Sequence, residues 1–172
     1  MIQKTPWFER SFPQDLPLAL FPNLVERLRG TPARLEDRTQ DLSRDTLVRQ
    51  WKGKWSIQEN VGHLLDLEPL LLGRLDDFDA GCEKLRPADL KNTKTHEADH
   101  NAFPLEDLLS GFRKVRMEMV TRLDKMDEAA VKRTALHPRL NQPMTVLDLI
   151  CFIAEHDDHH LARITEILRV LK

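Results

Sequence analysis

The sequence predicts an all-α protein, a four-helix bundle with a long connection between its second and third helices. Three observations predict it. Four long stretches repeat apolar residues at spacings of three and four, the period of a helix with one buried face. Helix-start signals precede several of them. No stretch alternates apolar and polar residues over more than a few positions, and tyrosine is absent, so no convincing strand is expected.

The elements follow in chain order. Residues 1–15 carry Trp7, Phe8 and Phe12 with two prolines and read as an extended arm packed on the body. The first helix spans Pro17 to Arg29, with Leu18, Phe21, Leu24, Val25 and Leu28 on one face. Pro22 marks either its first turn or a kink. Gly30 ends it, and Thr31 before Pro32 reads as an N-cap and N1 proline that restart a helix to about Leu42. Residues 43–55 form a polar connection. Ser56, with Glu59 three positions on, is a capping box opening the second helix. That helix carries Ile57, Val61, Leu64, Leu65, Leu67, Leu71, Leu72 and Leu75, and Pro69 predicts a kink or local break near residues 65–69. Residues 79–103 are polar and longer than an ordinary loop, which predicts disorder or a functional segment. They also leave room for a crossover. The third helix runs from Leu105 to Met126, residues 134–143 are a loop, and Thr145 with Asp148 caps a fourth helix from Val146 to about Val170.

The 172 residues suit one domain over 1–172 that can bury a core without disulfides. A formal net charge of -2, with no basic block, gives no footprint for nucleic acid or an anionic membrane. Cys82 lies in a polar linker and Cys151 in an apolar helix face, which is no disulfide framework and fits a reducing cytosol. Met1–Trp7 lacks the apolar core of a signal peptide, and no run approaches the ~18 apolar residues of a membrane span. The expectation is a cytoplasmic protein.

The densest chemistry lies in Ala154–Ile164, where His156, His159 and His160 stand among Glu155, Asp157 and Asp158. His156 and His160 are four apart, so on a helix they share a face, where the apolar pattern would place core residues. Burying two imidazoles without partners would cost roughly 1–3 kcal/mol each. Two at this spacing can instead chelate one metal ion. His159 is offset by about 60° from His156 and about 100° from His160, so it cannot aim with both. A pair needs a third ligand. His96, His100 and His137 fall in loops; His63 is the other histidine inside an apolar helical pattern and can face the pair if helices two and four are neighbours.

Trp55–Ser56–Ile57–Gln58–Glu59–Asn60–Val61–Gly62–His63–Leu64 is similar to the W-S-x-x-E-x-x-x-H-L signature of DinB-like proteins, and His156–Asp157–Asp158–His159–His160 to their H-x-x-H-H motif. The resemblance covers residues 20–170. It implies a four-helix bundle of the DinB/YfiT-like type and one divalent metal ion on three histidines, here His63, His156 and His160, with His159 the extra histidine and not a ligand. Zinc or nickel leads, with iron or manganese as alternatives, since imidazole suits several of these ions. The family includes YfiT-like metal-dependent hydrolases and bacterial thiol-dependent transferases and isomerases, commonly homodimers. A small-molecule substrate, with a low-molecular-weight thiol in the transferases, is therefore implied. One departure is Arg163, which stands where many relatives carry glutamine.

A three-histidine ion with an open position lowers the pKa of a bound water or thiol, or polarises a carbonyl. Hydrolysis and thiol transfer both fit. Glu59, one turn before His63, is a candidate catalytic base, although the capping box already accounts for it. Asp157 and Asp158 are expected to be solvated or to orient imidazoles. Arg116 is expected at the surface or, failing that, in a cavity holding an anion. Ser56 and Trp55 are expected to serve structure, Trp55 as a staple on the first turn. The alternatives are a non-catalytic metal-binding stress or sensor protein and a metal-free helical interaction module. A di-iron carboxylate bundle does not fit, because no Glu-x-x-His pair recurs on two helices.

Overall fold

The computed structural model describes residues 5–171, so the first four residues of the expected arm, and Lys172, lie outside it. The arm contains one 3-10 turn, Trp7–Glu9, and a second turn, Leu18–Leu20, leads into α1 (Phe21–Arg29). Pro22 sits in the first turn of α1, where a missing N–H leaves no bond unmade. α2 (Thr31–Thr39) follows through Gly30, whose helical φ of -78 makes α1 and α2 nearly one rod. Thr31 is therefore not the expected cap. Its hydroxyl turns inward and donates to Asp157 Oδ2 at 2.7 Å.

The connection expected over 43–55 contains a short helix, α3 (Arg44–Val48), because the Ser43 side chain accepts from the Thr46 N–H. α4 (Ile57–Asp79) opens with both halves of the Ser56–Glu59 capping box and runs unbroken through Pro69, against the expected break. An interior proline costs a helix about 3 kcal/mol. Here Leu64, Glu68, Leu71 and Leu75 on either side are all buried, and that packing outweighs the cost. The 79–103 segment is ordered and includes α5 (Thr93–Glu97) and a 3-10 turn at His100–Ala102. After α6 (Leu105–Leu123) come α7 (Glu128–Val131) and a hairpin of β1 (Thr134–His137) and β2 (Gln142–Thr145), where a loop was expected. Four-residue strands are too short to show alternation. The pairing is secured from outside, since Leu136 exchanges backbone bonds with Glu83 and Leu85 at 2.8 and 3.0 Å. α8 (Val146–Leu171) starts on a reciprocal Thr145–Asp148 box.

The α1–α2 rod packs on α6 and α8, and α4 packs on α6 and α8, so the rod and α4 are diagonal partners. The core falls into two clusters. One joins Leu24 and Leu28 of α1, Leu71 and Leu75 of α4, Met119 and Leu123 of α6, and Ile150 of α8. The other joins Leu35 of α2, Val61 and Leu64 of α4, Leu108 and Phe112 of α6, and Ile164 of α8. α4 and α6 thus run parallel, and the long 80–104 connection returns along the bundle between them as a crossover.

A charged layer separates the clusters. Arg116 of α6, fully buried, donates to Glu68 Oε1 of α4 at 2.6 Å and to both carboxylate oxygens of Asp157 of α8. This corrects both expectations for Arg116, and it removes Asp157 from the imidazoles. Burial opposes the Arg116 charge, but Asp157 and Glu68 outweigh it and hold the guanidinium above its usual value. Burial raises Glu68 above the usual carboxylate range against the pull of Arg116. Asp158, the other expected orienting acid, instead pairs with Arg27 and Arg34 on the rod.

Removing one partner of a buried ion pair leaves uncompensated charge. Arg116→Met should therefore destabilise the protein by about 3–5 kcal/mol in urea unfolding. A loss below about 1 kcal/mol would mean that the cluster behaves like a surface pair.

Candidate metal centre

α4 and α8 are neighbours, and they bring three of the predicted histidines together. The ligand atoms of His63, His156 and His160 all lie within 4.8 Å of one another, and all three side chains are buried. His160 Nε2 is 3.2 Å from His156 Nε2, so a shared proton or a cation must lie between nitrogens this close. A tetrahedral ion with bonds of about 2.0–2.1 Å spaces its nitrogen ligands at about 3.3 Å, a spacing the His156–His160 pair already matches, with the His63 ligand atom within 4.8 Å of both.

Two of the rings are aimed by their neighbours. His160 Nδ1–H donates to Asn60 Oδ1 at 2.8 Å, while the Asn60 Nδ2 donates to the Ser56 carbonyl at 2.7 Å. Thr95 Oγ1 donates to Asp66 Oδ2 at 2.8 Å and so accepts from His63 Nδ1–H at 3.0 Å. Each Nδ1–H leaves its Nε2 lone pair for the centre. Asp66 also receives His100 Nε2 at 2.8 Å. Gly62 permits that contact, because a Cβ there would lie 2.3 Å from the His100 ring. Sequence reasoning misses Asn60, Asp66 and Thr95. Asn60 and Gly62 lie inside the quoted motif; the 79–103 segment, with its His96 and His100, is expected as one wall of the opening, but the contact of His100 and Thr95 with Asp66 is not legible from sequence.

Burial lowers His63 to about 4, partly offset by Asp66, and it drives His156 and His160 well below their usual value. All three are neutral at neutral pH, the form that binds metal.

The remaining candidates lie around this cluster. His159 is outside it, with its ring 5.2 Å from His160 and 5.5 Å from Trp7. Trp55, expected as a staple on the first turn, lays its ring 4.7 Å from His63 and 6.2 Å from His160, and so lies against two of the three imidazoles. Trp7 of the arm meets His156 at 4.9 Å. Glu59 accepts from Ser56 N–H at 2.7 Å and from Gln50 at 2.8 Å, and with Gln50, His96 and Arg163 it lines a second cleft that also reaches Trp55 and His160. Arg163 pairs with Glu166 at 2.8 Å. Cys82 is exposed and Cys151 buried, both as free thiols.

Beside the imidazoles is a cavity of about 180 Å³, with Trp7, Trp55, Leu67, Leu71, Phe152 and Ile153 in its walls. No helix among the described residues is long and apolar enough to cross a membrane.

Residues 27–164 match the family model of the DinB superfamily, and the chain belongs to it. YfiT from Bacillus subtilis, described as a probable metal-dependent hydrolase with an unusual four-helix bundle topology, superposes with a TM-score of 0.79. It is 20% identical, over 94% of this chain and 93% of that one. A mycothiol-dependent maleylpyruvate isomerase superposes with a TM-score of 0.67 at 10% identity, over 86% of this chain. This chain spans only 60% of the isomerase's length. Curated proteins give no significant match. At these identities the likeness establishes the fold; chemistry must be argued from the site.

His137, like His63, is lowered to about 4, by burial and then by Arg74 and Arg139. The unfolded chain therefore takes up these protons first, near the ordinary 6.5. Stability of metal-free protein should be complete above that value and fall as pH drops towards about 4. Urea midpoints across this window should show the slope, and His137→Gln should reduce it without removing it, since His63 contributes as well. Midpoints level across the window in the parent protein would contradict the burial argument.

Proposed function

We propose that this DinB-superfamily protein is a metal-dependent enzyme acting on a small molecule, with His63, His156 and His160 as the ligands of one divalent ion. The observation that carries the reading is the convergence of three neutral imidazoles on one point at the wall of a cavity. Zinc or nickel is the leading ion, with iron or manganese next. When bound there, a divalent ion supplies Lewis acidity and acidifies a water or thiol at the position the protein leaves open.

The chain's own residues do the rest. Asn60 and the Thr95–Asp66 pair fix the tautomers of His160 and His63. Trp55 and Trp7 lay apolar rings against His63 and His156, which lowers the local dielectric and strengthens polar interactions beside them. Glu59 is assigned the capping role, since both its oxygens are already engaged. Hydrolysis and transfer involving a low-molecular-weight thiol are the two reactions we favour. YfiT's description supports the first and the isomerase's dependence on mycothiol the second. A sensor without turnover would need the ligands but not the cavity beside them.

Elemental analysis of protein purified without a polyhistidine tag should give one equivalent of metal per chain. His63→Ala, His156→Ala and His160→Ala should each lose it, and His159→Ala should keep it. Retention in His160→Ala together with loss in His159→Ala would assign the wrong histidine. Thr95→Val, which deprives His63 of its acceptor, should weaken metal affinity by about 10- to 100-fold in competition with a chromogenic chelator. Unchanged affinity would remove Thr95 from the account.

A further inference from the structure

The same cavity has a basic region. Beyond Trp7 and Phe152 its wall includes Arg74, His137 and Arg139. Arg74 is 2% exposed, and its guanidinium meets only the Arg86 carbonyl at 3.2 Å and His137 Nε2 at 3.2 Å. Arg139 lies against the rings of Phe8 and Phe152, at 5.4 and 5.6 Å, and its buried Nη2 has no hydrogen-bond partner. Among the described residues neither arginine forms an ion pair. The nearby acids are engaged elsewhere. Asp77 is held by Arg86 at 2.7 Å, and Asp89, on the cavity wall, accepts from the amides of Lys91 and Thr93 at 2.9 and 2.7 Å.

Donors outnumber acceptors here. His137 Nδ1 faces the Leu140 N–H at 3.2 Å while its Nε2 faces Arg74. A neutral imidazole has one lone pair for these two donors, so one of them goes unmet. One buried guanidinium, a half-buried one whose Nη2 is out of reach of solvent, and a surplus donor, set in apolar walls, form a place for an anion. Burial lowers Arg139, and it lowers Arg74 to about 10 with Arg139 and Arg86 adding to the effect against Asp77.

We propose that this cavity binds a small, mostly apolar carboxylate, held by Arg139 and Arg74, with its other end at the three imidazoles. The direction of the molecule rests on the metal reading above; the carboxylate subsite does not. A planar carboxylate matches guanidinium forks and offers the acceptors that the surplus donors need. A phosphate dianion brings more charge and more lone pairs than this apolar wall answers. The size also suits a small organic acid, since an apolar cavity of about 150 Å³ holds benzene.

Benzoate and its neutral partner benzamide are the probes, read through the fluorescence of Trp7 and Trp55 and through arginine Nε–H resonances. Both metal-loaded and chelator-stripped protein are titrated. Benzoate should bind in both forms, about 10- to 100-fold more tightly than benzamide. Arg139→Gln should abolish that preference and Arg139→Lys should keep part of it. Thermal melting checks that the variants fold; if Arg139→Gln does not, Arg139→Lys and the benzamide comparison still decide. Equal binding of the two probes, no benzoate binding, an unaltered preference in Arg139→Gln, or tighter binding of inorganic phosphate would each overturn the proposal. Benzoate binding that needs the metal and ignores Arg139 would overturn the subsite alone. Binding through Arg139 in a protein that never takes up metal would overturn the metal reading alone.

Discussion

One buried guanidinium organises this bundle. Arg116 reaches from α6 across the centre to Glu68 of α4 and Asp157 of α8, and Thr31 of α2 donates to the same Asp157. Ions taken out of water gain only if their partners stay in place, so this cluster tolerates little sliding or rotation of the helices. Asp157 and His156 are adjacent on α8 and point about 100° apart. Fixing the first toward the bundle centre fixes the second toward α4 and His63. The geometry of the three-imidazole cluster is thus set by an ion cluster that takes no part in it.

The topology supplies what the cluster cannot. Parallel α4 and α6 force their connection to travel back along the bundle, and the return path lays α5 over His63. Without that crossover, Thr95 and His100 would not meet Asp66, and the His63 ring would lack its acceptor. The diagonal connection between α6 and α8 does similar work on the other side, where the hairpin carries His137 and Arg139 to the cavity. Both segments read as polar because most of their residues face solvent; only a few, such as Leu85, Thr95 and His100 in the first and Ala135 and His137 in the second, are buried.

The sequence made the helices legible where local physics decides them. The capping boxes at Ser56 and Thr145 have their signal within four residues, and both stand as read. The histidine spacing of α8 was equally local. What local reasoning missed depends on distant partners. Arg116 looked like a surface residue because its two acids are 48 and 41 positions away. Pro69 looked like a break because the packing that holds α4 together is tertiary. The hairpin was hidden because Leu136 is paired by residues 83–85 and because its strands are four residues long. The place of Trp55 against the imidazoles is not legible either, because the sequence does not reveal that α8 brings His160 under the same ring.

The central claim is that three imidazoles, and no other protein group, hold a metal ion with a position left for substrate. X-ray absorption of the zinc-loaded protein addresses it most directly. The account predicts three imidazole scatterers and at least one further light ligand at about 2.0–2.1 Å, with the light-ligand shell changing when a small thiol is added. A sulfur scatterer before any thiol is added, or a closed shell of four protein ligands that thiol leaves untouched, would contradict it.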